Sequence, residues 1–243
     1  MGLRGDMRVE TAAGPVEIAK LADCTVSTPD FSEVVLTWAN AHFFVSELTS
    51  VRLAGVEQIF DVTLDDGKIV CASASSLFVL KSGARKMAPE LVPGDSLLPI
   101  YIEEDAYGYA TYRVPGKAVK RKMSRLMAEW ITGGPLVKGT YVEHIDKDRK
   151  NYHPNNLRIK INEAMAKRTH KNKVVKAHIM AKDLLDECAA VSPLMSKIVR
   201  RKSKGNHKVV DIKAGVLTEV YAASVRSAGS LAVSGVFLEL PSC

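Results

Sequence analysis

The chain of 243 residues has room for one large domain or two ordinary ones, and its 47% hydrophobic and 25% charged residues exclude a wholly disordered or fibrous protein. No uncharged apolar stretch approaches the roughly 18 residues of a membrane span, the opening MGLRGDMRVE lacks a secretory signal, and Cys24, Cys71, Cys188 and Cys243 are too scattered for a metal pair or a disulfide framework, so a reducing, intracellular compartment with no membrane partner is expected. The net charge of +7 is uneven: 24 basic against 8 acidic residues lie between Arg113 and Lys208, and 10 basic against 19 acidic elsewhere, which asks for a polyanion opposite the middle of the chain.

Over residues 1–101 short strands alternate with turns. Val34–Thr37, Gln58–Leu64, Ile69–Cys71 and Leu77–Leu80 are rich in β-branched and aromatic residues. Asp65-Asp66-Gly67 carries the signature of a tight hairpin, and Pro93-Gly94-Asp95 marks another turn. Past Glu103-Glu104-Asp105 the apolar period lengthens to about 3.6 residues. Val119–Trp130 then reads as a helix with Val119, Met123, Leu126, Met127 and Trp130 on one face and Lys120, Arg121, Lys122 and Arg125 around the rest, stopped by Gly133-Gly134-Pro135.

A compact unit follows: a strand over Thr140–His144, a polar loop, a second strand over Leu157–Lys160 and a basic helix from about Asn162. Two more helices are expected, over Ala177–Ala190 and after Ser192-Pro193 through Lys202. From Asn206 the two-residue period returns in His207–Lys213, Glu219–Arg226 and Leu231–Leu238. The pattern predicts one β domain, residues 1–110 and 206–243, interrupted by a basic insert over 111–205. There is no internal repeat and no low-complexity tract.

The outer segments carry a set of ordered motifs: Gly2-Leu3-Arg4-Gly5-Asp6-Met7-Arg8-Val9, Leu64-Asp65-Asp66-Gly67-Lys68-Ile69, Leu91-Val92-Pro93-Gly94-Asp95-Ser96-Leu97, Glu219-Val220-Tyr221 and Gly235-Val236-Phe237-Leu238. Over about 140 residues this order and spacing resembles the Hint domain of inteins and hedgehog autoprocessing modules. By that resemblance Gly2 stands at the first nucleophile, Ser73 and Ser76 at the Thr and His that polarise the scissile peptide, Glu239-Leu240 at the terminal His-Asn pair, Pro241 at the next nucleophile, and Ala222 or Ala223 at an upstream Asp. Autoprocessing needs an activated nucleophile, a proton donor and an oxyanion partner. Neither Gly nor Leu supplies such a group, so splicing is expected to be lost. Met1 directly before the splice position and a chain ending at Cys243 suggest a free-standing protein on a retired scaffold.

In the insert, Met123–Ile131, Pro135–Asn151 and His153–Arg158, with Glu143-His144-Ile145-Asp146 and Asn155-Asn156-Leu157 at their centre, resemble the HNH homing endonucleases of phages and inteins over about 50 residues. The resemblance implies His144 as general base, Glu143 as metal ligand and Asn156 as the residue that fixes the loop, with Mg²⁺ or Mn²⁺ polarising the scissile phosphate. Taken alone, Glu143-His144 is an ordinary surface pair and Asn155-Asn156 an ordinary turn. The second metal ligand, nine residues after the central Asn, is Met165 here, and a thioether is a poor ligand for a hard cation, so any metal would be weakly held.

Phosphate contacts are expected from Lys120, Arg121, Lys122, Arg125, Lys167, Arg168, Lys171, Lys173, Arg200, Arg201 and Lys202. Double-stranded DNA is the expected partner; RNA satisfies the same charge, but no aromatic platform is interleaved with the basic residues. The fold class expected is α+β, an all-β Hint-like domain carrying a helical, ββα-type HNH insert, in a bacterial or phage-infected cytoplasm. Three functions are compatible: a DNA-binding protein derived from an intein-encoded endonuclease, a nicking HNH enzyme using Glu143 and His144, or a structural or assembly protein that reuses the fold.

Overall fold

The computed structural model describes residues 1–27, 33–39, 42–113, 120–162, 207–226 and 229–240. In chain order the strands are β1 (Leu3–Arg4), β2 (Arg8–Thr11), β3 (Gly14–Glu17), β4 (Glu33–Ala39), β5 (His42–Leu64), β6 (Ile69–Ser73), β7 (Leu77–Val79), β8 (Arg85–Met87), β9 (Ser96–Leu97), β10 (Tyr101–Glu104), β11 (Ala110–Arg113), β12 (Lys120–Lys122), β13 (Thr140–His144), β14 (Leu157–Ile161), β15 (His207–Val225), β16 (Ser230–Val233) and β17 (Val236–Glu239). Among the described residues there are two α-helices, α1 (Ile18–Ser27) and α2 (Met123–Ile131), and neither is long and apolar enough to cross a membrane. Two compact units emerge, one of residues 1–101, 113 and 207–240 and one of 102–112 and 120–162.

The first unit is a twelve-stranded sheet in the order β8-β7-β17-β16-β2-β4-β5-β6-β1-β15-β9, with β3 on β2. Its spine is the antiparallel pairing of β5 with β15, from Leu64 against Val209 to Leu48 against Val225. Register shifts bend this ladder. At the one between Val220 and Tyr221, β5 accommodates the extra residue around Gly55, whose φ of 128° only glycine adopts without strain. Leu48, Val51, Ile59, Val62 and Leu64 of β5 turn inward to join Leu3, Val70, Phe78, Val220, Leu231 and Leu238 in one core.

Helix α1 was not legible in the sequence. It buries Ile18, Leu21 and Ala22, the i, i+3, i+4 face, on that core. Its first amides have no side-chain cap. Instead Ile18 N–H donates to the Met7 carbonyl (2.9 Å) and Ala19 N–H to the Gly5 carbonyl (3.1 Å), which satisfies donors a helix start leaves open. The segment Leu231–Leu238, expected as one strand, is instead the hairpin β16–β17. Ser234 (φ 48°) and Gly235 (φ 94°) form a two-residue turn with both φ positive, between the paired Val233 and Val236. Conversely, His207–Lys213 and nearly all of Glu219–Arg226 are parts of the single strand β15, which ends at Val225.

In the second unit β10, β11 and β12 form a three-stranded sheet, and β13 pairs with β14 from Thr140 against Ile161 to His144 against Leu157. The helix expected over Val119–Trp130 begins at Met123. Lys120–Lys122 are β12, because the buried helical face starts with Met123, Leu126 and Met127 and Lys122 is already extended. Gly133 N–H donates to the Trp130 carbonyl and Gly134 N–H to that of Glu129, a Schellman ending with Gly133 at φ 70°. The helices expected at Asn162, Ala177–Ala190 and after Ser192 lie outside the described residues.

The core makes two predictions. Phe237, fully buried, packs its ring 5.4 Å from that of Phe43 and 6.1 Å from that of Trp38. Phe237→Ala is expected to cost about 3–5 kcal/mol, read from urea unfolding by Trp38 fluorescence in a Trp130→Phe background. His207 opens β15 with 3% exposure, its Nδ1 3.5 Å from Asp66 and its Nε2 without a hydrogen-bond partner among the described residues. Burial lowers its pKa, Asp66 and Asp65 oppose that, and Lys68 adds to it. The unfolded chain therefore takes up a proton near the ordinary histidine range while the folded chain does not. Stability of the first unit is expected to fall as pH drops from about 7.5 to 5.5, and His207→Gln to flatten that fall in the same unfolding measurement.

Candidate functional site

Strand β1 is held between β15 and β6, with Leu3 opposite Tyr221 on one side and Ala72 on the other. This places the Gly2 peptide against the end of β6. Gly2 N–H donates to Ser73 Oγ (3.0 Å) and Ser76 Oγ (3.2 Å). Its carbonyl accepts from Ser73 N–H (2.7 Å) and from the Ser76 hydroxyl (3.2 Å). The two hydroxyls lie 3.2 Å apart, and both serines are fully buried. Gly2, Ser73 and Ser76, the three front positions singled out in the sequence, are therefore one hydrogen-bonded group.

Chemically this group has donors, acceptors and two serine hydroxyls, but its hydrogen-bond partners among the described residues include no base to activate either hydroxyl. A Cβ built on Gly2 would meet Val220 Cγ2 at 2.8 Å and Ser73 Oγ at 3.0 Å, so the pocket is shaped to glycine. The remaining positions do not converge on it in a chemical sense. Glu239 pairs with Arg85, and Leu240 donates its N–H to the Gly229 carbonyl while its side chain joins the core. Ala223 is buried and Ala222 half-buried on β15.

In the second unit His144 ends β13 and is 6% exposed, with its ring 5.8 Å from that of Tyr109. Its Nε2 has no hydrogen-bond partner among the described residues. Burial lowers its pKa, Asp146 and Asp148 raise it, and Lys122 and Arg149 lower it further, so the neutral, base-competent imidazole is favoured. Asn156 ties the intervening loop: its amide group donates to Asp146 Oδ1 (2.9 Å) and the Asn151 carbonyl (2.8 Å), its Oδ1 accepts from Asp146 N–H (3.0 Å), and its carbonyl accepts from Ile145 N–H (2.8 Å).

Glu143, one residue before His144 on the strand, faces the other way and is exposed. Its carboxylate is held by Lys160 (2.6 Å) and Arg158 (3.9 Å), the former keeping its pKa below the usual range. Among the described residues no three His, Cys, Asp or Glu side chains form a metal-binding group. Met165 lies outside the described residues.

Several expected phosphate-binding cations are already engaged. Lys120 pairs with Glu103, while Arg121 (3.7 Å) and Arg125 (3.5 Å) share Glu129. Lys122 instead lies over the Tyr109 ring, 3.3 Å from its centroid. Lys167, Arg168, Lys171, Lys173, Arg200, Arg201 and Lys202 lie outside the described residues. The sequence reading missed Tyr109, Arg149 and Asp146. Asp146 sits inside the quoted Glu-His-Ile-Asp run, but no local signal links Tyr109 to Arg149.

No family model matches the sequence, and no curated protein matches it. Among solved structures the chain is similar to a mutant of the Ssp DnaB mini-intein variant M86 (TM-score 0.50, 11% identity, covering 99% of each chain). It is similar also to that variant itself (TM-score 0.50, 9% identity, 98% of this chain and 92% of the other). A DnaB intein from Synechocystis sp. PCC 6803 aligns with a TM-score of 0.49 at 9% identity over 99% of both chains. At such identities the first two matches carry the fold alone: it is the Hint fold of inteins.

Because the Gly2 pocket leaves no room for a Cβ, Gly2→Ala is expected to destabilise the first unit by about 1–3 kcal/mol. In Val220→Ala, which clears the nearest contact, the same substitution is expected to cost markedly less. A double-mutant cycle in urea measures the coupling.

Proposed function

We propose that the chain is a DNA-binding protein derived from an intein that hosted an HNH homing endonuclease, with splicing lost and metal-dependent cleavage weak or lost. The observation that supports it best is the excess of 24 basic over 8 acidic residues between Arg113 and Lys208, on a chain whose remaining residues are net acidic. Loss of splicing is supported by the Gly2 group, where the residue at the first position has no side chain and the two serines that hold it have no base among their hydrogen-bond partners in the described residues. Weak cleavage is supported by the Glu143 carboxylate, which two cations on β14 already occupy.

A second reading, a nicking endonuclease, is favoured by one observation: His144 Nε2 is buried without a partner among the described residues. Both readings are separated by one experiment on supercoiled plasmid with Mg²⁺ or Mn²⁺, beside His144→Ala, with gel shifts on the same DNA. Retarded, uncut DNA whose affinity falls steeply between about 50 and 200 mM salt is expected. Nicking that disappears in His144→Ala would establish the second reading. No retardation even at about 50 mM salt would overturn both in favour of a structural role.

A further inference from the structure

We infer that Lys122 and Arg149, held on the ring of Tyr109 beside His144, form a clamp for one backbone phosphate of bound DNA. This rests on the DNA-binding reading and names the residues of the second unit that carry it.

The distinction lies in what each cation already touches. Lys120, Arg121, Arg125, Lys150, Arg158 and Lys160 all pair with a carboxylate. Lys122 and Arg149 make no such pair among the described residues. Lys122 Nζ sits 3.3 Å and Arg149 Cζ 4.8 Å from the Tyr109 centroid. A ring face attracts a cation through its quadrupole without cancelling its charge, so both heads are positioned and still available to an anion.

Their placement is fixed by backbone contacts. Arg149 Nη1 donates to the Tyr107 carbonyl (2.5 Å), and the Arg149 carbonyl accepts from Ala110 N–H (3.3 Å), on either side of Tyr109. One of five guanidinium donors is thereby used, and no other is engaged among the described residues. Lys122 is anchored by the next residue, the fully buried Met123.

Carboxylates stand nearby but are turned to their own loops. Asp105 Oδ1 accepts from Tyr107 N–H and Tyr109 N–H, both at 2.9 Å. Asp146 is engaged by Asn151 and Asn156, and Asp148 accepts from Lys150 N–H (2.9 Å). Beside the same ring lies His144, 6% exposed, whose Nε2 is buried without a hydrogen-bond partner among the described residues. A guanidinium fork and an ammonium on one ring suit the several oxygens of a phosphodiester.

The test is fluorescence anisotropy of a labelled duplex with the full chain across a salt series. Lys122→Ala and Arg149→Ala are each expected to reduce the slope of log K against log salt by about 0.9, which is a loss of roughly eightfold at about 0.1 M salt. Tyr109→Leu, which removes the ring, is expected to match them, and Tyr109→Phe to bind as the wild type. Lys20→Ala, on an exposed lysine of α1, serves as the control and keeps the wild-type slope. Both cation variants alter exposed or ring-stacked heads, and an unchanged melting temperature verifies folding. If the wild type binds and both cation variants keep its slope and affinity, the clamp alone is overturned. If the wild type does not bind, the DNA-binding reading falls and the clamp with it.

Discussion

The pairing of β5 with β15 holds the first unit together, because every element near Gly2 hangs from it. β15 holds β1 through Tyr221 opposite Leu3, and β5 holds β6 through Phe60 opposite Ala72. Only with both in register does the Gly2 peptide meet Ser73 and Ser76. The ladder joins Leu64 to Val209, and 144 residues lie between them. Closing so long a connection is less costly than its length suggests, since each doubling adds only about 0.6 kcal/mol. The two halves of the sheet can therefore hold a basic segment of foreign charge between them, provided the apolar faces of β5 and β15 find each other.

Around Gly2 the same constraint has a chemical side. A residue at the inner end of a buried strand must have its N–H and carbonyl satisfied, since an orphaned group there costs about 1–3 kcal/mol. Ser73 and Ser76 do this for Gly2, serving the N–H of the peptide before it and the carbonyl of the peptide after it. A hydroxyl pair can fasten a strand in this way without moving a proton, because neither oxygen has a base to activate it. The close approach of Val220 then makes glycine the fitting residue at that point: the group reads as a structural lock, and the space a nucleophilic side chain would occupy is filled by valine.

How much of this the sequence disclosed follows from where each signal lies. β13 was placed to the residue because Thr140–His144 alternates and is bounded by Gly139 and the polar loop. Gly2, Ser73 and Ser76 were legible only through motif order, since nothing local relates residues more than seventy positions apart. Lys120–Lys122 were read as helix because lysine and arginine suit a helix as well as an edge strand, and the apolar residues that fix the start lie further on. The β16–β17 turn was hidden in an apolar run, where Ser234-Gly235 reads as a pause rather than a reversal. α1 was missed because its cap is made by distant carbonyls of Gly5 and Met7 rather than by a side chain beside it.

Formal charge counts overstate what a basic segment can give to a polyanion. Residues 120–162 hold ten basic and four acidic side chains, yet six of the ten are paired within the unit, some with Glu103 and Glu104 outside that stretch. Exposed pairs of this kind are worth about 0–1 kcal/mol each, so a phosphate can displace them, but each exchange leaves a carboxylate facing the DNA. Cations seated on a ring carry no such penalty. Of the four basic residues of that stretch with no such pair among the described residues, Lys122, Lys138, Lys147 and Arg149, two are held together on the ring of Tyr109. Residues 163–206 carry a further eleven basic side chains against four acidic.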